Sequence, residues 1–287
     1  MTPNQFMDWL LSNNQSTSNP LSDKPLIMGI VNVTPDSFYD GGSYIHPDRA
    51  FHHAMNLIEQ GADIIDVGGE STKPDATKIP LSLELDRIIP VIQRIRQNSS
   101  ITLSIDTYKP EVMKAAVNAG ANVINDIYAL RQPGSLEAAA DLKVPVCLMH
   151  MQGNPTTMQV KPNYPHGLIS DITEFFRQRI NACQEVGILR SRLILDPGFG
   201  FGKSIKNNLS LVKHINNFTQ FNIPILLGVS RKSTIGALLD KKVEDRLIGS
   251  IGLAIYAYLN GVKIIRTHDV DETSQGLKII RSIEQAP

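Results

Sequence analysis

Cysteine is nearly absent from this sequence, since Cys147 and Cys183 are the two in 287 residues. They lie far apart in the chain, and neither belongs to a CxxC pair. This spacing argues against a disulfide framework and against a zinc knuckle. We therefore expect both cysteines to be reduced, buried thiols.

The chain also lacks an excess of charge of either sign. Lys and Arg together number 28, Asp and Glu together number 28, and the formal net charge is zero. A protein without an overall basic field is not expected to bind nucleic acid or a membrane surface. An anionic ligand would need a local cluster of positive charge.

Long apolar runs are missing as well. No uncharged apolar stretch reaches the ~20 residues that a helix needs to span a bilayer. Residues 1–24 are rich in Asn and Ser and lack the basic start and apolar run of a secretion signal. We expect a cytoplasmic protein.

What the chain does contain is a series of eight short runs rich in Ile, Val and Leu, each followed by a longer amphipathic segment. The runs look apolar on both faces, as parallel strands covered on two sides do. They cover residues 26–31, 63–67, 101–105, 122–125, 145–149, 193–195, 224–229 and 262–266. Eight such units predict an α/β fold, a (β/α)8 or TIM barrel, and a single domain of ~250 residues can hold one.

The predicted organisation is a polar N-terminal leader over residues 1–24 and a barrel domain over residues 25–287. A doubly wound α/β sheet is the structural alternative. That alternative is weaker because no GxGxxG follows the first run to bind a dinucleotide.

Polar side chains stand where the predicted strands end. Asp106 closes the third run, Asn125 the fourth and Asp196 follows the sixth. In a barrel the carboxyl ends of the strands share one mouth, so these groups should converge. Carboxylates and an amide there suit a flat nitrogen heterocycle. A lone strand-end Asp is more often a helix cap, and the convergence is what favours a site.

The first run leads into a polar, turn-rich loop that contains Asn32 and Asp36. Asn32 could offer a hard oxygen to Mg²⁺, and Asp36 could approach a metal or a leaving phosphate. The alternative is that both residues form Asx turns that close a surface loop.

Two segments near the end of the chain indicate an anion site. Residues 230–233 (SRKS) put cations and hydroxyls at a helix start, where cations oppose the helix dipole, which favours a bound anion over solvated surface charge. Arg266 and His268 lie two residues apart on one side of an extended chain and could form a phosphate clamp. A lone His would more often be an ordinary hydrogen-bonded residue.

Several of these segments form ordered signatures: MGIVNVTPDSF (28–38), DVGGEST (66–72), SIDT (104–107), NDI (125–127), LMHMQG (148–153), DPGFGFGK (196–203), SRKS (230–233) and RTHD (266–269). With them the chain resembles the bacterial dihydropteroate synthases, a family of pterin-binding TIM barrels, from about residue 25 to about residue 283. Eight signatures in order leave little room for chance.

The resemblance implies a reaction in folate biosynthesis. Members of that family condense 6-hydroxymethyl-7,8-dihydropterin pyrophosphate with p-aminobenzoate, giving 7,8-dihydropteroate and pyrophosphate. Pyrophosphate departs first in a dissociative step, and the arylamine then attacks the pterin-methyl cation. The implied cofactor is Mg²⁺, and the implied assembly is a homodimer.

The resemblance also assigns residues. The implied pterin contacts are Asp106, Asn125, Asp196 and Lys232, with apolar cover from Ile127 and Met149. The implied diphosphate and Mg²⁺ contacts are Asn32, Arg266 and His268. The implied p-aminobenzoate contacts are Asp36, Phe38, Thr72, Pro74, Phe201, Lys232 and Ser233. The expected catalytic residues are Asp36, Lys232, Arg266 and His268.

Lys73 departs from the family pattern, which usually has Arg after Ser-Thr in the second loop. Lys keeps the charge and loses the planar fork, so contacts to diphosphate or to sulfonamide mimics of p-aminobenzoate are expected to differ there.

Two other functions stay open. A pterin-binding barrel that transfers a methyl group from a folate would depend on cobalamin and would have little need of the two anion segments. A noncatalytic pterin-binding module would keep the barrel without turnover. For the expected homodimer, Tyr256 and Tyr258 could contribute to the interface, although core packing explains them equally well.

Overall fold

Strands and helices alternate along the chain in the computed structural model, which describes residues 1–13, 24–34, 47–72, 76–155, 157–160 and 162–286. The strands are β1 (Leu26–Asn32), β2 (Ile64–Gly68), β3 (Thr102–Asp106), β4 (Val123–Asp126), β5 (Val146–Met149), β6 (Leu193–Asp196), β7 (Leu226–Gly228) and β8 (Ile264–Thr267). The described α-helices are α1 (Pro3–Asn13), α2 (Pro47–Glu59), α3 (Leu81–Asn98), α4 (Pro110–Ala119), α5 (Ser135–Leu142), α6 (Leu168–Glu185), α7 (Ile205–Lys213), α8 (Ser233–Leu239), α9 (Leu247–Leu259) and α10 (Val270–Glu284).

The strands form one parallel sheet in the order β6-β5-β4-β3-β2-β1-β8-β7. A parallel bridge between Leu195 and Ile225 joins β6 to the start of β7, so the sheet closes into a barrel. The predicted (β/α)8 barrel is confirmed, and each predicted strand overlaps an observed one. The doubly wound sheet is excluded.

Alternation along each strand divides the core into two parts. One set of strand residues packs against the surrounding helices, among them Ile65, Leu103 and Leu195. The other set points into the barrel and is apolar at the amino ends of the strands: Leu26, Met28, Ile64, Val123, Cys147, Ile194, Leu226 and Ile264. Because side chains alternate along a strand, the residues two positions later also face the interior.

The helix α1 covers the amino end of the barrel. Its Phe6 and Leu10 are fully buried and join the interior apolar cluster. The backbone N–H of Thr102, the first residue of β3, donates to the Met1 carbonyl at 2.8 Å. The Asn/Ser-rich composition predicts a polar leader over residues 1–24, and the structure differs by folding residues 3–13 onto the barrel.

Both cysteines are buried free thiols, as expected. Cys147 belongs to the apolar cluster inside the barrel, and Cys183 is buried on α6. Within the described part of the chain, no helix has the length and apolar character to cross a membrane.

Candidate active site

The interior face of the barrel becomes polar at the carboxyl ends of the strands. In the register of β1 to β4, Asn32 pairs with Gly68, Gly68 with Asp106, and Asp106 with Asn125. A Cβ at residue 68 would lie 3.4 Å from the Asp106 Cβ and 3.8 Å from the Asn32 Oδ1. Glycine at this position therefore leaves room between the amide and the carboxylate.

Arg266 ties two buried carboxylates together inside the mouth. Its Nε donates to Asp66 Oδ2 at 2.7 Å, and its Nη2 donates to Asp106 Oδ2 at 2.9 Å. Asn125 Nδ2 donates to the same Asp66 oxygen at 3.1 Å. The ends of β2, β3, β4 and β8 thus meet in one network, which brings together Asp106 and Asn125, two of the three groups expected to converge. Arg266, expected in a phosphate clamp, is paired with two carboxylates of the protein.

The second oxygen of each carboxylate in this network lacks a partner. Asp66 Oδ1 and Asp106 Oδ1 are buried without a hydrogen bond in the described structure. Buried polar atoms are rarely left unsatisfied, so such oxygens are typical of a site that accepts N–H groups from a ligand. Burial raises the pKa of Asp106, and the Arg266 guanidinium opposes that rise.

Asp196 closes β6 and begins a loop that runs from residue 197 to residue 203. Its Oδ1 accepts from the Gly198 backbone N–H at 2.7 Å, and burial raises its pKa. Gly198 has φ +71°, and a Cβ there would lie 1.9 Å from the His150 carbonyl oxygen. Only glycine can make this approach, which fixes the loop against the end of β5.

The same loop folds around a buried ammonium, that of Lys203. Its Nζ donates to the Gly198 carbonyl at 2.9 Å and to the Phe201 carbonyl at 3.0 Å, and it lies 3.0 Å from His150 Nδ1. If the ammonium donates to Nδ1, the imidazole carries its proton on Nε2. Burial lowers the pKa of Lys203 to about 7 and lowers the pKa of His150 strongly. His150 is therefore a neutral structural residue.

Lys232 reaches from the start of α8 to this loop. Its Nζ donates to the Phe199 carbonyl at 3.0 Å and lies 4.1 Å from the centre of the Phe201 ring. Burial lowers the pKa of Lys232 to about 8, with Asp196 opposing the change. Lys232 and Phe201, both expected to line the p-aminobenzoate pocket, lie together in the structure. Ser233 is exposed at the first residue of α8.

His268 lies beside Ser230 at the end of β8. The His268 Nδ1 is 3.0 Å from the Ser230 Oγ, and the His268 backbone N–H donates to that hydroxyl at 3.2 Å. Burial and the positive charges of Arg266 and Arg231 lower the pKa of His268 to about 4. The imidazole is neutral at neutral pH and offers one N–H donor.

Arg231 has a partner within the protein. Its Nε donates to Asp269 Oδ2 at 3.0 Å, and its Nη2 contacts Asp269 Oδ1. The sequence pattern favours a bound anion as the partner of the SRKS cations, and for Arg231 this expectation is wrong because Asp269 neutralises the guanidinium.

An apolar wall completes the described mouth. Ile127, Met149 and Phe201 belong to one cluster with Tyr108 and Tyr128, so these three predicted contacts lie together. Thr72 lines a small neighbouring pocket together with Ile127. Four predicted loop residues, Asp36, Phe38, Lys73 and Pro74, lie outside the described residues.

The described mouth offers few protein ligands for Mg²⁺. Among the described residues, no group of three or more His, Cys, Asp or Glu side chains could bind a metal ion. Asn32 offers one amide oxygen, which faces the Asp106 carboxylate across Gly68. Mg²⁺ often binds through one or two protein oxygens, substrate phosphates and water, so these residues fit a metal that is shared with a diphosphate.

Two residues of the site were not predicted. Asp66 is the fully buried centre of the Arg266 network, and Lys203 organises the loop after β6. Asp66 lies two positions before Gly68 on the same face of β2, and this spacing could have revealed that Asp66 faces the barrel interior. The buried state of Lys203 had no signal in the local pattern, because a lysine after a glycine-rich turn is usually exposed.

Comparisons with known proteins agree with this geometry. The family model described as pterin binding enzyme matches residues 28–268. The dihydropteroate synthase of Escherichia coli K12 is 48% identical over 268 residues, which cover 93% of this chain and 94% of that protein.

Two solved structures have the same fold. Xanthomonas albilineans dihydropteroate synthase with 4-aminobenzoic acid superposes with a TM-score of 0.87 at 45% identity, covering 92% of this chain and 95% of that one. The Yersinia pestis dihydropteroate synthase in a sulfonamide drug complex gives a TM-score of 0.88 at 45% identity, covering 95% and 98%.

Proposed function

The chain belongs to the family of pterin-binding enzymes, and from this we propose that it is a dihydropteroate synthase. It condenses 6-hydroxymethyl-7,8-dihydropterin pyrophosphate with p-aminobenzoate, forming 7,8-dihydropteroate and releasing pyrophosphate. The observation that carries the proposal is the Asp66–Arg266–Asp106 network, whose two unpartnered oxygens lie in the barrel mouth.

These oxygens suit the pterin ring. A pterin presents amino and ring N–H groups along one edge, and carboxylates accept such donors. Asp106 and Asp196 accept from that edge in our proposal, while the Asn125 amide can both accept and donate. Ile127 and Met149 supply the apolar contact that a flat ring needs.

The diphosphate faces Arg266 and His268. Two of the five N–H groups of Arg266 are used by Asp66 and Asp106, and the others can donate to phosphate oxygens. The neutral His268 adds one N–H. Mg²⁺ when bound would be held by Asn32 and would supply further positive charge to the departing group.

The mechanism we propose is dissociative. The bond between the pterin methylene carbon and the diphosphate oxygen breaks first, and the electron pair leaves with the diphosphate. Arg266, His268 and Lys232 stabilise the negative charge that develops, and Asp106 and Asp196 stabilise the pterin-methyl cation. The arylamine nitrogen then forms the new C–N bond with its lone pair, and the resulting anilinium releases its proton to water.

The arylamine occupies the side of the mouth formed by Lys232, Phe201 and Thr72. Its carboxylate lies near Ser233 at the start of α8, and its ring contacts Phe201. As mimics of p-aminobenzoate, sulfonamides should compete for this side of the mouth. Closure by Asp36, Phe38 and Pro74, and an altered contact at Lys73, remain predictions.

The test is pyrophosphate release and dihydropteroate formation from the pterin pyrophosphate with Mg²⁺, with and without p-aminobenzoate. Wild-type protein should form product, and Arg266→Ala and Lys232→Ala should lose it while remaining folded. Folded wild-type protein that forms no dihydropteroate would refute the proposal. Dependence on cobalamin would then indicate the methyltransferase alternative, and tight pterin binding alone would indicate the noncatalytic one.

A homodimer and a cytoplasmic location belong to the same proposal. Tyr258 is fully buried, which makes it a core residue, whereas Tyr256 is 44% exposed on α9. Other exposed apolar residues on α9 and α10 are Ile248, Leu259, Ile279 and Ile283. Sedimentation of wild-type protein and of Ile248→Asp tests this face; a monomeric wild type refutes the dimer.

A further inference from the structure

Arg231 has a backbone conformation that only a few residue types adopt easily. Its φ is +57°, in the left-handed region. It immediately precedes Lys232, which returns to an extended conformation with φ −63° and ψ 152° at the start of α8. A non-glycine residue in this region next to a functional side chain requires something that holds it there.

Three separate contacts hold Arg231. Its N–H donates to the Ser250 Oγ at 2.9 Å, and its carbonyl accepts from Arg246 Nη1 at 3.0 Å. Its guanidinium is paired with both oxygens of Asp269. The first two partners come from α9 and its N-terminal flank, and the third follows β8.

Both carboxylate oxygens of Asp269 pair with Arg231. It is the residue before α10, a place where Asp normally caps the helix, yet its side chain makes no capping hydrogen bond. Both oxygens are directed to Arg231 instead. The pair is half-buried, with side-chain exposures of 37% for Arg231 and 9% for Asp269.

We propose that Arg231 is a positioning residue, which locks the left-handed turn that directs the Lys232 ammonium into the barrel mouth. The consequence appears in the Lys232 contacts, since its Nζ reaches the Phe199 carbonyl across the mouth. If residue 231 relaxes to a right-handed or extended conformation, the chain direction at residue 232 changes and the ammonium leaves these contacts. The catalytic part of this inference rests on the proposed synthase function.

The alternative is that Arg231 binds an anionic substrate directly. Its Nε and Nη2 both face the Asp269 carboxylate, so an anionic substrate would be bound through the remaining N–H groups, chiefly those of Nη1. The two roles differ in what they predict for Lys232. A ligand-binding Arg231 leaves the Lys232 environment unchanged when no substrate is bound.

The experiment is an NMR titration of Lys232 in the ligand-free protein after reductive ¹³C-methylation, with the signal assigned from Lys232→Arg. Burial lowers the pKa of Lys232, and Asp196, Arg266 and Asp106 are the charged groups that act on it. An ammonium released to solvent will titrate nearer the ordinary value of 10.5. We compare Arg231→Ala with Asp269→Asn, because these changes remove charges of opposite sign.

If Arg231 positions Lys232, the pKa of Lys232 should rise in both Arg231→Ala and Asp269→Asn. A direct charge effect predicts opposite shifts, since loss of a cation raises and loss of an anion lowers the pKa of a nearby ammonium. The matched control is Arg177→Ala, which breaks an exposed ion pair with Glu174 on α6. Thermal unfolding of each variant separates a local change from loss of the fold, and Asp269→Asn still decides if Arg231→Ala fails to fold.

Kinetics supply the second readout. We expect kcat to fall roughly 10- to 100-fold in Arg231→Ala and Asp269→Asn, with partial rescue in Arg231→Lys, because small misplacements of catalytic groups cost about this much. An unchanged Lys232 titration with only a raised KM for the pterin pyrophosphate would overturn the inference in favour of direct binding. A wild type without synthase activity would refute the proposed function alone, since the titration needs no turnover.

Discussion

The two ends of the barrel are built from the same strands and have opposite characters. At the amino ends the interior side chains are apolar on every strand except β3, and α1 covers them with Phe6 and Leu10. At the carboxyl ends the interior positions two to four residues later carry Asp66, Asp106 and Arg266, with carboxylate oxygens that lack partners. Interior positions that follow one another at intervals of two residues therefore belong to a packed apolar core at one end and to a polar mouth with unpartnered oxygens at the other.

This difference separates stability from activity. Apolar burial at the amino end contributes to folding whether or not a ligand is present. Buried charges at the carboxyl end contribute little net stability, because their desolvation offsets their attraction. Barrel enzymes generally place their chemistry at this end. Substitutions at the two ends should therefore change different measured quantities.

The largest effect is expected for Phe6→Ala at the amino end. Removing a fully buried Phe typically lowers the free energy of unfolding by about 3–5 kcal/mol. Urea unfolding measures the loss, and kcat per folded molecule should be unchanged. Leu11→Ala, at an exposed position of the same helix, is the control and should change stability by less than ~0.5 kcal/mol. A large fall in kcat with unchanged stability would break the comparison.

A smaller effect, on catalytic efficiency, is expected for Asp66→Asn at the carboxyl end. The change removes the charge that pairs with Arg266 and keeps the shape, and a hydrogen bond to a charged group is worth about 1.5–3 kcal/mol. If that stabilisation serves the transition state, kcat/KM should fall roughly 10- to 100-fold. Ser104→Ala, whose position pairs with Asp66 in the register of β2 and β3, should retain activity. Equal losses in both variants would contradict the assignment.

The carboxyl end should also make stability depend on pH. Because burial raises the pKa of Asp106 above the ordinary value of 3.8, the folded chain binds more protons than the unfolded chain above about pH 4. The contribution of this group to stability therefore falls as pH rises from about 4 towards 7, by about 1.4 kcal/mol for each unit that separates the two pKa values. Urea unfolding across this range should show the fall in wild type and less of it in Asp106→Asn. If the free energy of unfolding depends on pH in the same way in wild type and in Asp106→Asn, Asp106 does not contribute to this dependence.

The smallest effect is expected for an exposed charge at the amino end. Lys24 precedes β1 and lies 3.0 Å from Asp63, with half of its side chain exposed. Lys24→Met should lower the free energy of unfolding by about 0.2–1 kcal/mol, and by less at high salt. Urea unfolding at low and high salt measures this; a loss as large as that of Phe6→Ala would contradict the distinction between the ends.

The strand pattern could be predicted because it depends on local alternation. All eight strands, and the position of Asp106, Asn125 and Asp196 at the barrel mouth, follow from short apolar runs and from the rule that strand ends share one mouth. The helix α1 was missed because the Asn and Ser around it dominate the composition of residues 1–24. Phe6 and Leu10, four residues apart on one helical face, were the signal that could have revealed it.

Pairings between distant residues could not be predicted in the same way. Arg231 and Asp269 are 38 positions apart, and Asp66 and Arg266 are 200 apart. Whether a cation meets a carboxylate of the protein or a ligand depends on tertiary geometry that no local pattern contains. The sequence therefore predicted where the charged residues lie in the barrel. The prediction that a bound anion pairs with Arg231 was wrong.

The Lys203 ammonium has a further consequence for how the loop after β6 responds to its surroundings. Two carbonyl oxygens and an imidazole nitrogen surround it, much as they would coordinate a bound potassium ion. Below the pKa of about 7 to which burial lowers Lys203, the protein thus carries its own monovalent cation, tethered by a side chain and buried from solvent. We expect the shape of this loop to be insensitive to the kind and concentration of salt in the cell, because no ion has to be recruited to form it.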